Sequence, residues 1–125
     1  MIEIKKVTDL NLAKQICADN EVEWKPEYHI IATIENGNVL HCAVFSYDKD
    51  IGQILVISGF DGDIYLLDGL CRAILNIMDI NNVKDVYLPR KYEKIAQKIG
   101  FDTEENRYHL KLEGFFKCSC NKRGE

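Results

Sequence analysis

Residues 53–80 read QILVISGFDGDIYLLDGLCRAILNIMDI, and this stretch decides the fold. Its first part, Gln53 to Ser58, is a nearly continuous apolar run typical of a buried strand. After a glycine-containing turn, apolar residues recur at helical spacing and predict a helix of roughly four turns. The predicted buried stripe consists of Leu67, Leu70, Cys71, Ile74, Ile77 and Met78. Asp61 or Asp63 is expected to cap this helix, and Asn81-Asn82 to end it.

Two further strands precede this stretch and complete an antiparallel meander. They are predicted at His29 to Ile34 and at Val39 to Tyr47. The connection Glu35-Asn36-Gly37-Asn38 contains Asn-Gly, the strongest short hairpin signal. The third meander strand is the apolar run Gln53 to Ser58.

The N-terminal segment predicts one more strand and one helix. Ile2 to Val7 alternates in hydropathy, as a strand does. Thr8 or Asp9 can cap the helix that follows. The predicted buried face of that helix carries Leu10, Ala13, Ile16 and Cys17.

Downstream of the long helix, the pattern predicts a strand, a short helix and a last strand. Val83 to Leu88 is expected to lie parallel to the third meander strand through the helical crossover, and Pro89 ends it. The short helix carries Tyr92, Ile95, Ala96 and Ile99 on one face. Gly100 stands where a left-handed helix stop is expected. Arg107 to Glu113 alternates and predicts the last strand.

Length and charge exclude several classes of protein. The chain has 125 residues and fits one domain, which we place at 1–113 with a C-terminal tail at 114–125. A net charge of −4 predicts no nucleic-acid partner and no attraction to anionic membranes. No apolar run approaches the ~20 residues that span a bilayer, and the N-terminus lacks the layout of a secretory signal. We therefore expect a cytoplasmic protein.

The five cysteines are expected to be free thiols in a reducing compartment. Cys118-Ser119-Cys120 could supply half of a zinc site, but no second pair stands at suitable spacing, so no metal is predicted. A redox-reactive pair or an inert tail are the alternatives. Phe115-Phe116 is expected to cover the sheet edge or to contact a partner in a homodimer.

The predicted order is β-α-β-β-β-α-β-α-β, an α/β (α+β) arrangement with a mixed sheet. Its order and spacing resemble the GNAT acetyltransferase family over nearly the whole chain. The best local carriers are Gln53 to Ser58, Ile95 to Phe101, and Tyr108 to Leu112. The resemblance implies an acetyl-CoA-dependent N-acetyltransferase that moves an acetyl group to an amine of a small molecule or protein.

The resemblance also points to a cofactor loop. The family's pyrophosphate loop reads Arg/Gln-x-x-Gly-x-Gly/Ala before the long helix, whereas residues 59–69 read GFDGDIYLLDG. The glycines stand at a different spacing, the leading Arg or Gln is missing, and aspartates add negative charge. The resemblance still implies acetyl-CoA contacts at Ile57, Ser58, Gly59, Gly62, Asp63, Ile64 and Tyr65. The alternative interpretation is that the aspartates are helix caps and the glycines turn formers.

Catalytic residues follow from the same resemblance. The family often places a tyrosine four residues before the glycine, where it protonates the coenzyme A thiolate; this position is Ala96 here. Tyr92 lies one turn earlier and is a substitute acid, or simply packs against the sheet. A backbone N–H near Ile57 and Ser58 is expected to polarise the thioester carbonyl.

Two side chains are candidates for the base that deprotonates the amine. Glu23 follows the first helix, and His41 lies on the middle meander strand. The structural alternatives are a solvated loop charge for Glu23 and a surface or packing role for His41. Because the usual acid is absent and the loop is acidic, a catalytically degenerate module that binds an acyl-CoA or a protein stays open.

Overall fold

The structure is a computed structural model, and it describes residues 2–58 and 63–115. Seven strands, three α-helices and one 3-10 helix follow one another along the described chain. They are β1 (Ile2–Lys6), α1 (Leu10–Asp19), β2 (His29–Glu35), β3 (Asn38–Asp48), β4 (Ile51–Ile57), α2 (Ile64–Ile80), β5 (Asp85–Pro89), the 3-10 helix (Arg90–Tyr92), α3 (Glu93–Ile99), β6 (Asp102–Thr103) and β7 (Arg107–Lys111).

One mixed sheet has the strand order β1-β2-β3-β4-β5-β7-β6. Strands β1 to β4 pair antiparallel, and β4 pairs parallel with β5 through the α2 crossover. The predicted meander, crossover and parallel strand are therefore confirmed. The pattern missed the two-residue strand β6 and the 3-10 helix, which are too short to show a period. Tyr92, predicted on the short helix, belongs to that 3-10 helix, and β5 begins at Asp85 and not at Val83.

Three helix termini form as the local sequence predicts: the starts of α1 and α2 and the end of α3. The Asp9 carboxylate accepts the N–H groups of Asn11 and Leu12, and the Asp63 carboxylate accepts that of Tyr65. Gly100 has φ of 107°, in the left-handed region where glycine is favoured. These caps fix where α1 and α2 begin and where α3 ends.

Two apolar clusters cover the two faces of the sheet. Helix α1 packs on one face, and its buried residues are Ala13, Ile16 and Cys17. Helices α2 and α3 pack on the other face, which holds the larger core. The prediction for Leu10 was wrong: it is 50% exposed, because it lies in the first turn of α1 beyond the edge of the contact.

The buried stripe of α2 was predicted correctly apart from one position. Leu67, Leu70, Cys71, Ile74 and Met78 are buried as expected. Ile77 is only partly buried, and Leu75 takes its place in the core. A wide apolar helix face allows either neighbour to be buried, and the sheet beneath decides which one.

Candidate functional site

Strand β4 carries an extra residue relative to β3, and its pairing with β5 is short. Val44 lies opposite Val56, and Phe45 lies opposite Ile54, so Leu55 is a β-bulge. The parallel pairing of β4 with β5 stops at Gln53 and Tyr87, although both strands continue beyond this pair. A bulge bends its strand, and Pro89 has no N–H with which to continue the ladder.

A cleft lies where the two strands separate. It has a volume of about 220 Å³. Its walls are formed by Gln53, Ile54, Leu55, Tyr87, Leu88, Pro89 and Arg107. The cleft therefore gives an elongated ligand access to the backbone edge of β4.

The C-terminal end of β4 is hydrogen-bonded to a side chain of the 3-10 helix that follows β5. The Tyr92 hydroxyl oxygen accepts the Ile57 N–H at 2.9 Å, and Tyr92 is 2% exposed. The next N–H along the strand, that of Ser58, donates to the Cys42 carbonyl at 2.8 Å. Both N–H groups predicted to polarise a thioester are thus hydrogen-bonded within the protein in this state.

Ser58 and Cys42 form a tight polar contact on the α1 side of the sheet. The Ser58 hydroxyl accepts the Cys42 N–H at 2.9 Å and lies 3.0 Å from the Cys42 sulfur. Burial raises the pKa of the Cys42 thiol, although the Ser58 hydrogen bond acts in the opposite direction. A buried thiol with a raised pKa is a poor nucleophile, so Cys42 is suited to structure and not to acyl transfer.

The start of α2 places an exposed aromatic ring beside a cation. The Tyr65 side chain is 75% exposed, and Lys98 Nζ of α3 lies 5.0 Å from the centre of its ring. Asp68 forms an ion pair with Arg72 at 3.0 Å, which offsets one of the negative charges that the sequence places near the predicted cofactor. Gly59 and Gly62, the two predicted loop contacts, lie outside the described residues.

The predicted acid and base lie on opposite faces of the sheet. Tyr92 belongs to the core beneath α2 and α3, whereas Glu23 is exposed beside Trp24, which packs on the α1 side. The structure therefore does not bring these two side chains together on one face of the sheet. His41 is buried, and its Nδ1 lies 3.3 Å from the Thr33 hydroxyl. Ala96 is fully buried, so this position of α3 faces the core.

Sequence reasoning missed the outer wall of the cleft. The Arg107 guanidinium lies 3.7 Å above the centre of the Tyr87 ring, and Tyr87 stacks on His109 at 5.1 Å. His109 Nε2 lies 2.7 Å from an Asp85 carboxylate oxygen. These residues alternate along β5 and β7, and only the pairing of the two strands shows that they form one row.

The described residues contain no grouping of three or more His, Cys, Asp or Glu side chains suited to a metal ion. Cys17, Cys42 and Cys71 are free thiols, as predicted, and burial raises the pKa of Cys71 to about 12. Cys118 and Cys120 lie outside the described residues. None of the described helices has the length and apolar character that a membrane span requires.

Comparison with solved structures identifies the fold. An N-acetyltransferase from Staphylococcus aureus Mu50 superimposes with a TM-score of 0.69 at 16% identity, covering 90% of this chain and 98% of that one. An acetyltransferase of the GNAT family from the same strain gives 0.63 at 11% identity, covering 90% and 99%. N-acetylglutamate synthase from Neisseria gonorrhoeae, solved with coenzyme A and L-arginine, gives 0.68 at 15% identity, covering 89% of this chain and 33% of that one.

No family model and no curated protein matches the sequence. The structural matches cover about nine-tenths of the chain at low sequence identity. At this identity the likeness shows a shared fold and does not establish function. The protein has the fold of the GNAT acetyltransferases, as its sequence predicted.

Proposed function

We propose that the protein is an acetyl-CoA-dependent N-acetyltransferase whose cosubstrate lies along β4 in the cleft beside β5. The observation that carries this proposal is the Leu55 bulge with the loss of strand pairing after Gln53 and Tyr87. The thiol arm of acetyl-CoA is narrow, extended and rich in amides. Such an arm can pair with an open strand edge much as a peptide strand does.

The nucleotide end of acetyl-CoA would lie at the start of α2. An aromatic ring offers a stacking surface for adenine, and an ammonium group pairs with phosphate. Tyr65 and Lys98 provide this combination, in addition to the backbone of residues 63–65 and the glycines of the preceding loop. The partial positive charge of a helix N-terminus acts in the same direction.

In the proposed reaction the amine attacks the thioester carbonyl and the coenzyme A thiolate leaves. The thioester carbonyl oxygen accepts the Ile57 N–H and replaces the Tyr92 hydroxyl as its hydrogen-bond acceptor. The released Tyr92 hydroxyl then donates its proton to the thiolate sulfur. Glu23, through the α1 side of the opening, accepts the proton that the amine loses. The acceptor is an amine whose identity the proposal leaves open.

Two measurements test this proposal. Calorimetric titration with acetyl-CoA should show binding, and hydrogen exchange should slow at residues 53–58 and 63–67 when the ligand is present. Tyr65→Ala and Lys98→Ala should each weaken binding several-fold, whereas Lys111→Ala on β7 should not. Absence of binding at millimolar acetyl-CoA would exclude the proposal.

A second function is favoured by one observation. The N–H groups of both Ile57 and Ser58 are already hydrogen-bonded, so the site as it stands offers no prepared donor for a thioester carbonyl at these two positions. A module that binds an acyl-CoA without turnover would need no such donor. Mass spectrometry of a panel of amines incubated with acetyl-CoA separates the two functions, since only the enzyme yields an acetylated product and free coenzyme A.

A further inference from the structure

Strand β1 is an edge strand whose five residues are all exposed. Within residues 2–58 and 63–115 it pairs only with β2. Ile2 is 41% exposed and Ile4 44% exposed. An exposed edge that carries apolar side chains is a template for another strand.

The backbone of β1 points its unused hydrogen-bonding groups outward at alternate residues. Val7 directly follows β1, and its N–H donates to the Ile30 carbonyl of β2 at 2.8 Å. Because antiparallel pairing uses every second residue, Glu3 and Lys5 also face β2, in register with Ile34 and Ala32. Ile2, Ile4 and Lys6 therefore direct their N–H and C=O groups away from the sheet.

Two opposite charges of β1 lie on either side of Ile4. Glu3 and Lys5 flank it on one face of the strand, with their charged ends 3.8 Å apart. The Ile4 side chain lies on the other face, towards α2, where a methyl group added to Gly69 would lie 3.9 Å from its Cδ1. At positions 3 and 5 the charges of β1 are thus complementary to those of an inverted copy of the strand.

We propose that the protein forms a homodimer in which β1 pairs antiparallel with β1 of a second copy, centred on Ile4. Ile4 then lies opposite Ile4 of the second copy, and Ile2 lies opposite the second copy's Lys6. Each of these outward-facing pairs exchanges two backbone hydrogen bonds. Glu3 lies opposite Lys5 of the second copy, and the two sheets join into one.

The neighbouring registers are disfavoured by charge. Pairing centred on Glu3 places two glutamates opposite each other, and pairing centred on Lys5 places two lysines opposite each other. Like charges directly across a strand pair are destabilising. A register centred between two residues would set side chains of opposite faces against each other, which a continuous sheet does not allow.

Charge reversal tests the register directly. By sedimentation equilibrium at micromolar concentrations, the wild-type chain should be a dimer. Glu3→Lys and Lys5→Glu should each raise the dimer dissociation constant about ten-fold or more, because each places like charges across the interface. Lys94→Glu makes the same charge change as Lys5→Glu at an exposed residue of α3, and it should leave the dissociation constant unchanged.

Two complementary samples distinguish pairing from misfolding. The double variant Glu3→Lys/Lys5→Glu should dimerise like the wild type, since every cross-strand pair is again of opposite charge. An equal mixture of the two single variants should form a heterodimer, in which the lysines of one chain meet the glutamates of the other. A monomeric wild-type chain, single variants that associate as the wild type does, or a double variant and mixture that stay monomeric would each overturn the proposal.

Discussion

The Tyr92 hydroxyl oxygen accepts the backbone N–H of Ile57 at 2.9 Å, and this bond joins the 3-10 helix after β5 to the end of β4. It is made beyond Gln53 and Tyr87, the last residues at which β4 and β5 pair. The same phenol is the candidate acid, and the same N–H is the candidate donor to the thioester. One hydrogen bond therefore connects the stability of the fold to the proposed chemistry.

We expect Tyr92→Phe to lower the free energy of unfolding by about 1–3 kcal/mol, because a buried N–H loses its acceptor. If Tyr92 is the acid, kcat for a confirmed acceptor should also fall about 10²-fold. Urea denaturation and steady-state kinetics measure the two effects. Tyr108→Phe removes the hydroxyl of another buried tyrosine, and it is the control for losing a phenol hydroxyl elsewhere in the core. A variant with lower stability but unchanged kcat would place proton transfer elsewhere.

Ala96→Tyr, which would restore the family's usual tyrosine, should destabilise the protein and not improve it. Ala96 is fully buried on the core face of α3, so an added phenol ring would have to displace its packed neighbours. Overpacking of this kind costs about 1–3 kcal/mol or more. Gln97→Tyr, at the next and exposed residue, should change thermal stability little. Equal melting temperatures for the two variants would show that the core at position 96 can open.

Gly52→Ala should destabilise the fold because β4 and the end of α2 approach closely at this position. A Cβ on Gly52 would lie 2.6 Å from the Met78 sulfur and 3.2 Å from a Val83 methyl carbon. Because the Met78 atoms in contact lie at the end of a flexible but fully buried side chain, we expect a loss of about 1 kcal/mol in the free energy of unfolding. In a Met78→Ala background the same substitution should cost less, since the space has been vacated. A double-mutant cycle in urea measures this coupling, and additive effects would contradict it.

His29 should make stability fall as the pH drops. Burial, aided by the nearby charge of Lys6, lowers the pKa of His29 below its ordinary value of 6.5. Below that value the unfolded chain takes up the proton first, so stability is lost as the pH falls through 6.5 and the loss is complete below the folded pKa. His29→Phe keeps a ring between Phe45 and Tyr47 but cannot titrate.

The comparison of His29→Phe with wild type isolates this contribution, because His41 and His109 are present in both proteins. Urea titrations should be made between about pH 7.5 and about pH 5. Over this range the free energy of unfolding of the wild type should fall more with acid than that of His29→Phe. Parallel profiles over that range would show that His29 titrates alike in the folded and unfolded chains.

Local signals in the sequence were sufficient for most of the fold. The hydrophobic period of residues 64–80 gave α2, Asn-Gly gave the β2–β3 hairpin, and Gly100 gave the end of α3. Each depends on residues a few positions apart, so the physical cause lies within the segment itself. The order of these elements was enough to predict the parallel β4–β5 crossover.

The geometry of the candidate site was decided only by tertiary structure. Nothing in the run QILVIS marks Leu55 as the bulged residue, because a bulge exists only relative to the register of the partner strand. The bond from Tyr92 to Ile57 joins residues 35 positions apart, and Arg107 reaches the cleft only because β7 pairs with β5. The sequence alone determined the three α-helices and the longer strands, since periodicity and capping are local. Tertiary structure determined where the sheet opens and which side chains meet there, since strand register and long-range packing set those distances.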